Sequence, residues 1–191
     1  MRTFLLFSIL LITSALSAQT VNVPPRKNKM AVYEGIMRVD STFKKDVLYE
    51  RARGFFNSWF PSAIPIIQYA NKDSGQIIIN PAISLQFKRL GIEYSGGLWY
   101  YMGTFDFKDG KYRYKLENFT NTGFMAGSRS AQDLGPIECL YEDATCWPGV
   151  NMGSRPLMPE RKVILTDVHK EIVKFMAAFD AEMRKPLKDD W

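Results

Sequence analysis

The stretch FDFKDGKYRYKL, residues 105–116, contains both strands and the turn of one β-hairpin, and the other elements can be placed around it. Its central Asp109-Gly110 dipeptide stands between two runs in which apolar and polar residues alternate, and such a dipeptide favours a two-residue type I′ turn. The turn fixes the register, with the opposed pairs Lys108–Lys111, Phe107–Tyr112, Asp106–Arg113, Phe105–Tyr114 and Gly103–Leu116. Every aromatic residue then lies on one side, continued by Trp99 and Tyr101, and we expect that side to cover the helices.

The opposite side of the hairpin is the side on which we expect a partner to bind. Its predicted residues are Tyr100, Met102, Asp106, Lys111, Arg113, Lys115 and Glu117. Tyr100 and Met102 lie among charged positions and are suited to anchor contacts, as exposed aromatic residues and methionine do in interfaces. The alternative is that a long loop covers them. An exposed apolar patch on this side supports a binding role, whereas a covered side indicates a stand-alone scaffold.

The remaining strands are predicted from runs of β-forming residues. Residues 30–39, MAVYEGIMRV, form a first strand. Residues 63–70 and 76–83 are two further β-rich runs separated by NKDSG, a sequence typical of a hairpin turn. Pro65 and Pro81 lie inside these runs, so we expect each strand to be irregular or at an edge near its proline.

Two segments with helical periodicity complete the domain. The first has Ser41 or Thr42 as N-cap and ends at Pro61, and its apolar stripe is Leu48, Ala52, Phe55, Phe56 and Trp59. The second begins with Thr166 or Asp167 as cap and ends at Pro186, and its stripe is Val168, Ile172, Phe175, Met176, Phe179 and Met183. The predicted fold is therefore α+β, an antiparallel sheet with two helices on one face in the order β-α-β-β-β-β-α.

The ends of the chain and one long loop flank these elements. Residues 1–18, MRTFLLFSILLITSALSA, have one cationic residue, a short apolar run and then small residues, which is the pattern of a signal peptide. We therefore expect an exported protein, periplasmic or extracellular. Residues 19–29 are predicted to be a flexible lead-in, and residues 30–191 a single domain. Residues 120–162 form a long loop before the last helix, either functional or an insertion held by a disulfide.

Composition limits the classes of partner. The formal net charge is +5, from 25 basic and 20 acidic residues that are interspersed along the chain, which is typical of a mixed solvated surface. Nucleic-acid binding would require a concentrated basic face, so none is predicted. No segment after the leader is apolar for long enough to cross a bilayer. We predict no cofactor, and the sequence leaves the oligomeric state open.

The two cysteines, Cys139 and Cys146, lie close together in the chain. In an exported protein this arrangement favours a disulfide. The alternative is a metal site completed by Glu138, Glu142 or Asp143. It is the weaker reading, because thiolate sites generally use four soft or imidazole ligands, and the single histidine, His169, lies in a different predicted element. We expect His169 to be partly exposed and without a chemical role.

The order of elements and three segments resemble a known family. The segments are DVLYERARGFFNSWF (46–60), AIPIIQYANKDSGQIII (63–79) and FDFKDGKYRYKLENF (105–119). With the leader, they resemble the secreted bacterial proteins of the domain of unknown function family 4468, which has a TBP-like fold. The resemblance implies a fold and an exported location, but no activity and no catalytic residues. Residues 80–81, Asn-Pro, and the loop with two cysteines depart from the family pattern.

Three functions are compatible with this sequence. We expect a non-enzymatic binding module for a protein, a peptide or a cell-envelope component. The alternative is a carrier of a small apolar ligand, held between sheet and helices by Phe55, Trp59, Trp99, Phe175 and Phe179. A glycan hydrolase would need two facing carboxylates, for which Glu138 and Glu142 are the candidates. Acidic loop residues are usually only solvated, and the sequence contains no motif for a nucleophile and its base.

Overall fold

The structure, a computed structural model, describes residues 23–60, 65–89, 92–123, 133–143 and 158–186. This part of the chain is an α+β domain, as predicted. Its strands are β1 (Arg26–Lys27), β2 (Met30–Ala31), β3 (Tyr33–Arg38), β4 (Ile67–Asn71), β5 (Gln76–Ile79), β6 (Ala82–Arg89), β7 (Ile92–Lys108), β8 (Lys111–Thr122) and β9 (Gly135–Pro136), and its helices are α1 (Lys45–Trp59), a short 3-10 helix (Ile137–Leu140) and α2 (Met158–Met183).

The main sheet is antiparallel and has the strand order β3-β8-β7-β5-β4. Strand β7 is 17 residues long, so its first half pairs with β6 and its second half with β5. The short strand β9 pairs with the far end of β8. Strands β3 and β4 therefore lie at the two ends of this strand order, and β6 and β9 each pair with one strand only among those described.

The predicted hairpin register is confirmed at every pair. Strands β7 and β8 join Lys108 to Lys111 and continue in step through Gly103 and Leu116. The inward residues are buried as expected, namely Trp99, Tyr101, Phe105, Phe107, Tyr112 and Leu116. Tyr114 is half-buried. Its ring lies over Gly35, where an added Cβ would come within 2.9 Å of the tyrosine.

The strands between the helix and this hairpin differ from the prediction. The run expected over residues 76–83 is two strands, β5 and β6, separated at residues 80–81. Proline has no N–H to give to a ladder, and the Pro81 carbonyl instead accepts a hydrogen bond from the Tyr101 amide at 3.2 Å. Strand β6 then continues to Arg89 and forms a second hairpin with β7. The predicted element order thus lacked β6, and it also lacked the short strands β1 and β9.

The start of α1 also differs from the prediction. Neither Ser41 nor Thr42 caps it; the N-cap is Lys44, which forms no side-chain cap bond. The Thr42 amide and hydroxyl both donate to the Asp40 carboxylate at 2.8 Å, which closes a turn before the helix. The first amide of the helix, from Lys45, donates to Asp109 of the hairpin turn at 2.8 Å. The cap therefore comes from a residue 64 positions further along the chain.

Three more boundaries differ. Helix α2 begins at Met158 rather than near Thr166, since Pro159 is tolerated in a first turn. The predicted lead-in contains β1, which pairs with β2. The loop predicted over residues 120–162 contains the end of β8, strand β9, the 3-10 helix and the first residues of α2. Order therefore begins earlier and extends further into the loop than the sequence patterns indicated.

Both helices pack on one face of the sheet, as predicted. Phe105 of β7 contacts Phe56 of α1 and Phe179 of α2, each with ring centroids 4.9 Å apart. Phe56 and Phe179 in turn stack on each other at 5.3 Å. The core is this aromatic layer between sheet and helices. Neither α-helix in the described ranges is long and apolar enough to cross a membrane.

Candidate functional site

The side of the main sheet turned away from α1 and α2, which we call the outer face, carries most of the residues predicted to meet a partner. Along β3, β7 and β8, buried inward residues alternate with exposed or half-buried outward ones. The outer face comprises Glu34, Ile36 and Arg38 on β3, Met102, Thr104, Asp106 and Lys108 on β7, and Lys111, Arg113, Lys115 and Glu117 on β8. The three strands are adjacent, so these side chains form one surface.

Two hollows lie side by side on the outer face. The larger has a volume of about 530 Å³ and is lined by Glu34, Gly35, Ile36, Thr104, Asp106, Arg113, Tyr114 and Lys115. The smaller, about 190 Å³, lies toward the hairpin turn and is lined by Ile36, Asp106, Lys108, Lys111, Tyr112 and Arg113. Ile36 borders both hollows, and 67% of its surface is exposed. The face therefore offers an apolar contact surrounded by polar groups.

The charge at the centre of this face is held in place by hydrogen bonds. Arg113 donates to the Asp106 Oδ2 atom from Nε at 3.1 Å and from Nη2 at 2.8 Å. Gln76 of β5 donates to the other carboxylate oxygen at 2.8 Å. Both oxygens of Asp106 are thus engaged. Such a fixed constellation loses little further side-chain freedom when a partner binds.

Three cations stand in a row at the hairpin end of the outer face. Arg38 of β3 is directly opposite Lys111 of β8, and Lys111 is directly opposite Lys108 of β7. Other cations of this face have carboxylate partners, since Lys115 pairs with Glu117 at 2.7 Å. Nothing in the described part of the chain provides a carboxylate for the row. Like charges directly opposite on neighbouring strands repel, so this row attracts anionic groups.

The remaining predicted face residues lie apart from the two hollows. Met102 and Glu117 are paired one step further along the strands. Beyond them β8 has an extra residue, Asn118, whose φ of 58° marks a β-bulge. Tyr100 lies past this bulge and borders a different depression, beside Trp59 at the end of α1. Of the predicted face residues, Asp106, Lys111, Arg113 and Lys115 therefore lie together beside the two hollows. Tyr100 lies outside this surface.

The sequence reasoning missed the contribution of β3. The pattern YEGIMR alternates between the two sides, with Tyr33 and Met37 inward and Glu34, Ile36 and Arg38 outward. This alternation could have placed the three outward residues on one side of a strand. It could not have placed that strand beside β8, because the pairing joins segments more than 70 residues apart.

The aromatic residues proposed to hold an apolar ligand fill the core instead. Phe55, Phe175, Phe179 and Trp99 are buried. Phe55 contacts Phe175 at 5.9 Å and Phe179 at 5.4 Å between ring centroids, and Trp59 stacks on Phe55 at 5.3 Å. Rings in mutual contact leave no volume for a ligand among them. This packing argues against the carrier alternative.

The candidate carboxylates of a hydrolase have structural partners. Glu138 accepts a hydrogen bond from the Ala31 amide at 2.7 Å and so ties the 3-10 helix to β2. Glu142 pairs with Lys162 of α2 at 3.3 Å. Cys139 is buried, while Cys146 lies outside the described residues, and so does the predicted disulfide. Within the described ranges, no group of three or more histidine, cysteine and acidic residues is arranged to hold a metal ion.

His169 is half-buried and holds Tyr33. Its Nδ1 atom lies 3.0 Å from the Tyr33 hydroxyl, and the two rings stack with centroids 5.8 Å apart. Burial lowers the pKa of His169, which favours the neutral ring that can accept a hydrogen bond from the Tyr33 hydroxyl. Burial likewise raises the pKa of Tyr33. The pair joins α2 to β3 on the inward side of the sheet, away from the outer face.

Comparison with known proteins agrees with the predicted resemblance. Residues 33–122 match the family model described as "Domain of unknown function (DUF4468) with TBP-like fold". A TBP-like protein from Parabacteroides distasonis ATCC 8503 superimposes with a TM-score of 0.63 at 11% identity, covering 83% of this chain and 96% of its own. A DUF4468 family protein from Bacteroides ovatus ATCC 8483 gives 0.58 at 13% identity, covering 86% and 92%. At such identities the likeness establishes the fold alone. No curated protein matches the chain.

Proposed function

We propose that the protein, whose residues 33–122 match the DUF4468 family, is an exported, non-enzymatic interaction module. The description of that family gives a fold and no activity. The module binds a protein, a peptide or a cell-envelope component through the outer face. The observation that carries the proposal is the hollow beside Ile36, which combines an exposed apolar side chain with hydrogen-bonded polar groups. Concave sites with this composition are the default binding sites of proteins.

The partner is expected to carry anionic groups. Lys108 and Lys111 line the smaller hollow, Arg38 continues their row on β3, and the chain has a net charge of +5. An anionic partner would relieve the repulsion within the row and would be attracted over about one Debye length, roughly 8 Å at physiological salt. The mixed signs elsewhere on the face, at Asp106 and Glu117, favour a partner of mixed charge over a uniform polyanion.

Export is part of the same proposal. It is supported by the signal-peptide pattern of residues 1–18. Tagging the full chain at its C-terminus and separating the cells into cytoplasm, membranes and envelope tests this part on its own. We expect a product that lacks the leader, residues 1–18, and that is found outside the cytoplasm. A full-length cytoplasmic product would contradict export without touching the outer face.

Site-specific photo-cross-linking tests the binding role. A photoreactive amino acid replaces Thr104, which lines the larger hollow, and the matched control replaces Val173, an exposed aliphatic residue of α2. In cells of the source organism, we expect discrete cross-linked products from position 104 and none from position 173. The yield should fall at about 1 M salt, where the Debye length is roughly 3 Å. Equal products from both positions, or none from position 104, would contradict the proposal.

A further inference from the structure

Strand β3 has an open edge. It lies at the end of the strand order and pairs along its length with β8 on one side. On its other side, the structure describes no strand beside Tyr33–Arg38; the short β1 ends before this stretch and pairs with β2. The register with β8 runs through six consecutive pairs without a bulge. Natural proteins usually protect such an edge with proline, a bulge, charged side chains or a cover. Strand β3 has neither a proline nor a bulge, and its two outward charges are of opposite sign.

The register identifies the backbone groups that face this open edge. The Val39 amide donates to the Gly110 carbonyl at 3.0 Å, one step beyond the last pair of β3 and β8. Val39 and Gly110 therefore form a hydrogen-bonded pair. In an antiparallel ladder, hydrogen-bonded and non-hydrogen-bonded pairs alternate, so Glu34, Ile36 and Arg38 belong to the non-hydrogen-bonded pairs with β8. Their N–H and C=O groups therefore point away from β8. The Val32 amide agrees with this alternation, because it donates to Pro25 on the edge side at 3.0 Å.

The three edge residues, Glu34, Ile36 and Arg38, complement a reversed copy of themselves. We propose that β3 pairs antiparallel with β3 of a second copy of this chain, about a two-fold axis at Ile36, so that the two sheets become one. Ile36 then lies opposite Ile36 of the second copy, and Glu34 lies opposite Arg38 twice. The three pairs supply about six backbone hydrogen bonds. A two-fold interface requires a surface that complements itself, and this one does.

Other arrangements of the same edge are less favourable. Parallel pairing would bring the glutamates close to each other and the arginines close to each other. An antiparallel register shifted by two residues would place Ile36 opposite a charged residue. Only the centred antiparallel register matches every outward side chain. The charge pattern thus specifies orientation and register as well as the kind of partner.

Both charged residues are available for this exchange. Arg38 has no carboxylate partner among the described residues, and Glu34 pairs with Lys27 at 2.6 Å in an exposed ion pair. Exposed pairs contribute little to stability, so Glu34 loses little when it exchanges Lys27 for an arginine. Glu34, Gly35 and Ile36 also line the larger hollow, so pairing would join the hollows of the two copies across the axis. The inference does not depend on what the outer face binds.

Charge reversal tests the pairing. Sedimentation velocity of the chain from Gln19 onward, over a wide concentration range, measures the dimer dissociation constant. We expect Glu34→Arg and Arg38→Glu each to raise it by about ten-fold or more, because each places like charges opposite each other at two positions. The double variant should restore it. An equimolar mixture of the two single variants should form a heterodimer, since arginines of one chain then face glutamates of the other.

Matched controls reverse charges on α2. Lys174→Glu changes the net charge as Arg38→Glu does, and Glu171→Arg changes it as Glu34→Arg does. Both control residues are on α2, outside the open edge of β3, and form an ion pair with each other. Neither should alter the dissociation constant. Circular dichroism of every variant should match the original chain. A chain that stays monomeric at all concentrations, or a dimer that responds equally to the controls, would overturn the proposal, and so would a double variant that does not recover.

Discussion

Asn121 joins three parts of the fold, and its substitution should be costly. It is a fully buried polar residue in β8. Its Nδ2 atom donates to the Gly96 carbonyl at 3.0 Å and to the Leu98 carbonyl at 3.4 Å, both in β7. Its Oδ1 atom accepts from the Leu134 amide at 3.3 Å, just before β9. The asparagine therefore fixes the end of the central hairpin to the segment that follows it.

The expected cost of Asn121→Leu can be worked from these bonds. The substitution keeps a similar volume but leaves the Leu134 amide, in a residue that is 3% exposed, without a partner, at about 1–3 kcal/mol. The net contribution of the lost donor bonds adds about 1 kcal/mol. The Gly96 carbonyl keeps one bond, from Trp99 Nε1 at 3.0 Å. We expect the free energy of unfolding to fall by about 2–4 kcal/mol.

Urea unfolding followed by tryptophan fluorescence measures this change. With a slope of about 2 kcal/mol per molar urea, the midpoint should fall by about 1–2 M at an unchanged slope. The exposed Asn118 provides the matched position, and Asn118→Asp should alter stability by less than about 0.5 kcal/mol. A midpoint for Asn121→Leu equal to that of the original chain would refute the reasoning, because the buried amide would then cost nothing.

Asn121→Asp adds a test with a definite sign. The carboxylate keeps the acceptor for Leu134 but faces two carbonyl oxygens, so burial and these oxygens should raise the pKa of its folded form above about 3.9. A raised pKa means that the folded chain binds the proton more tightly, so stability falls as pH rises above about 3.9. The stability gap between this variant and the original chain should widen from about pH 4 to pH 7. A gap that is constant with pH would contradict this assignment.

Two further predictions concern packing and the cap of α1. Gly103→Ala should lower the free energy of unfolding by about 1–3 kcal/mol, because its Cβ would come within 2.8 Å of Ile79. The control is Gly54→Ala on α1, where an added Cβ meets open space. In the same urea assay, this control should raise the free energy of unfolding by up to about 1 kcal/mol. Asp109→Asn should lower the thermal midpoint at neutral pH, because the bond from the Lys45 amide lowers the pKa of the Asp109 carboxyl. That stabilisation is present above about pH 3.9 and is lost as pH falls through the folded pKa, so the two midpoints should converge in acid.

The hairpin register could be predicted from sequence because two independent constraints agree. The Asp109-Gly110 turn sets which residues are opposed, and the aromatic residues set which side is buried. A slip of β7 by one residue would expose Phe105 and Phe107 and bury Asp106 and Lys108, so the alternatives are far apart in free energy. The same alternation placed Asp106, Lys111, Arg113 and Lys115 on the outer face.

The element boundaries were harder because their causes are not local. The amide of Lys45 at the start of α1 is satisfied by Asp109, a residue 64 positions further along the chain. A local rule therefore looked for a cap at Ser41 or Thr42 and found plausible residue types there. The proline at position 81 could be seen as an interruption, but whether the chain turns or continues beyond it depends on the length of β7.

The open edge of β3 could be predicted only in part from the sequence. Its alternation is legible in the sequence, yet its meaning depends on two facts that only the fold supplies. The first is that β3 is the last strand of the sheet, and the second is that the outward residues turn their backbone groups to the open side. Glu34 and Arg38 then change from ordinary surface charges into the two halves of a self-complementary pattern.

The exposed Ile36 takes part in both proposals, the binding of a partner at the larger hollow and the pairing of two β3 strands. Combining variants from the two experiments tests each proposal separately. In a single chain this side chain borders the hollow beside Thr104; in the pair it is covered by its counterpart. With the photoreactive residue at position 104, the Arg38→Glu background removes the pairing and leaves the other residues that line the larger hollow unchanged. If cross-links to a partner persist in that background, the hollow of one chain is a complete site. If they disappear and return with the added Glu34→Arg reversal, the binding surface spans the two-fold axis, and each chain supplies half of it.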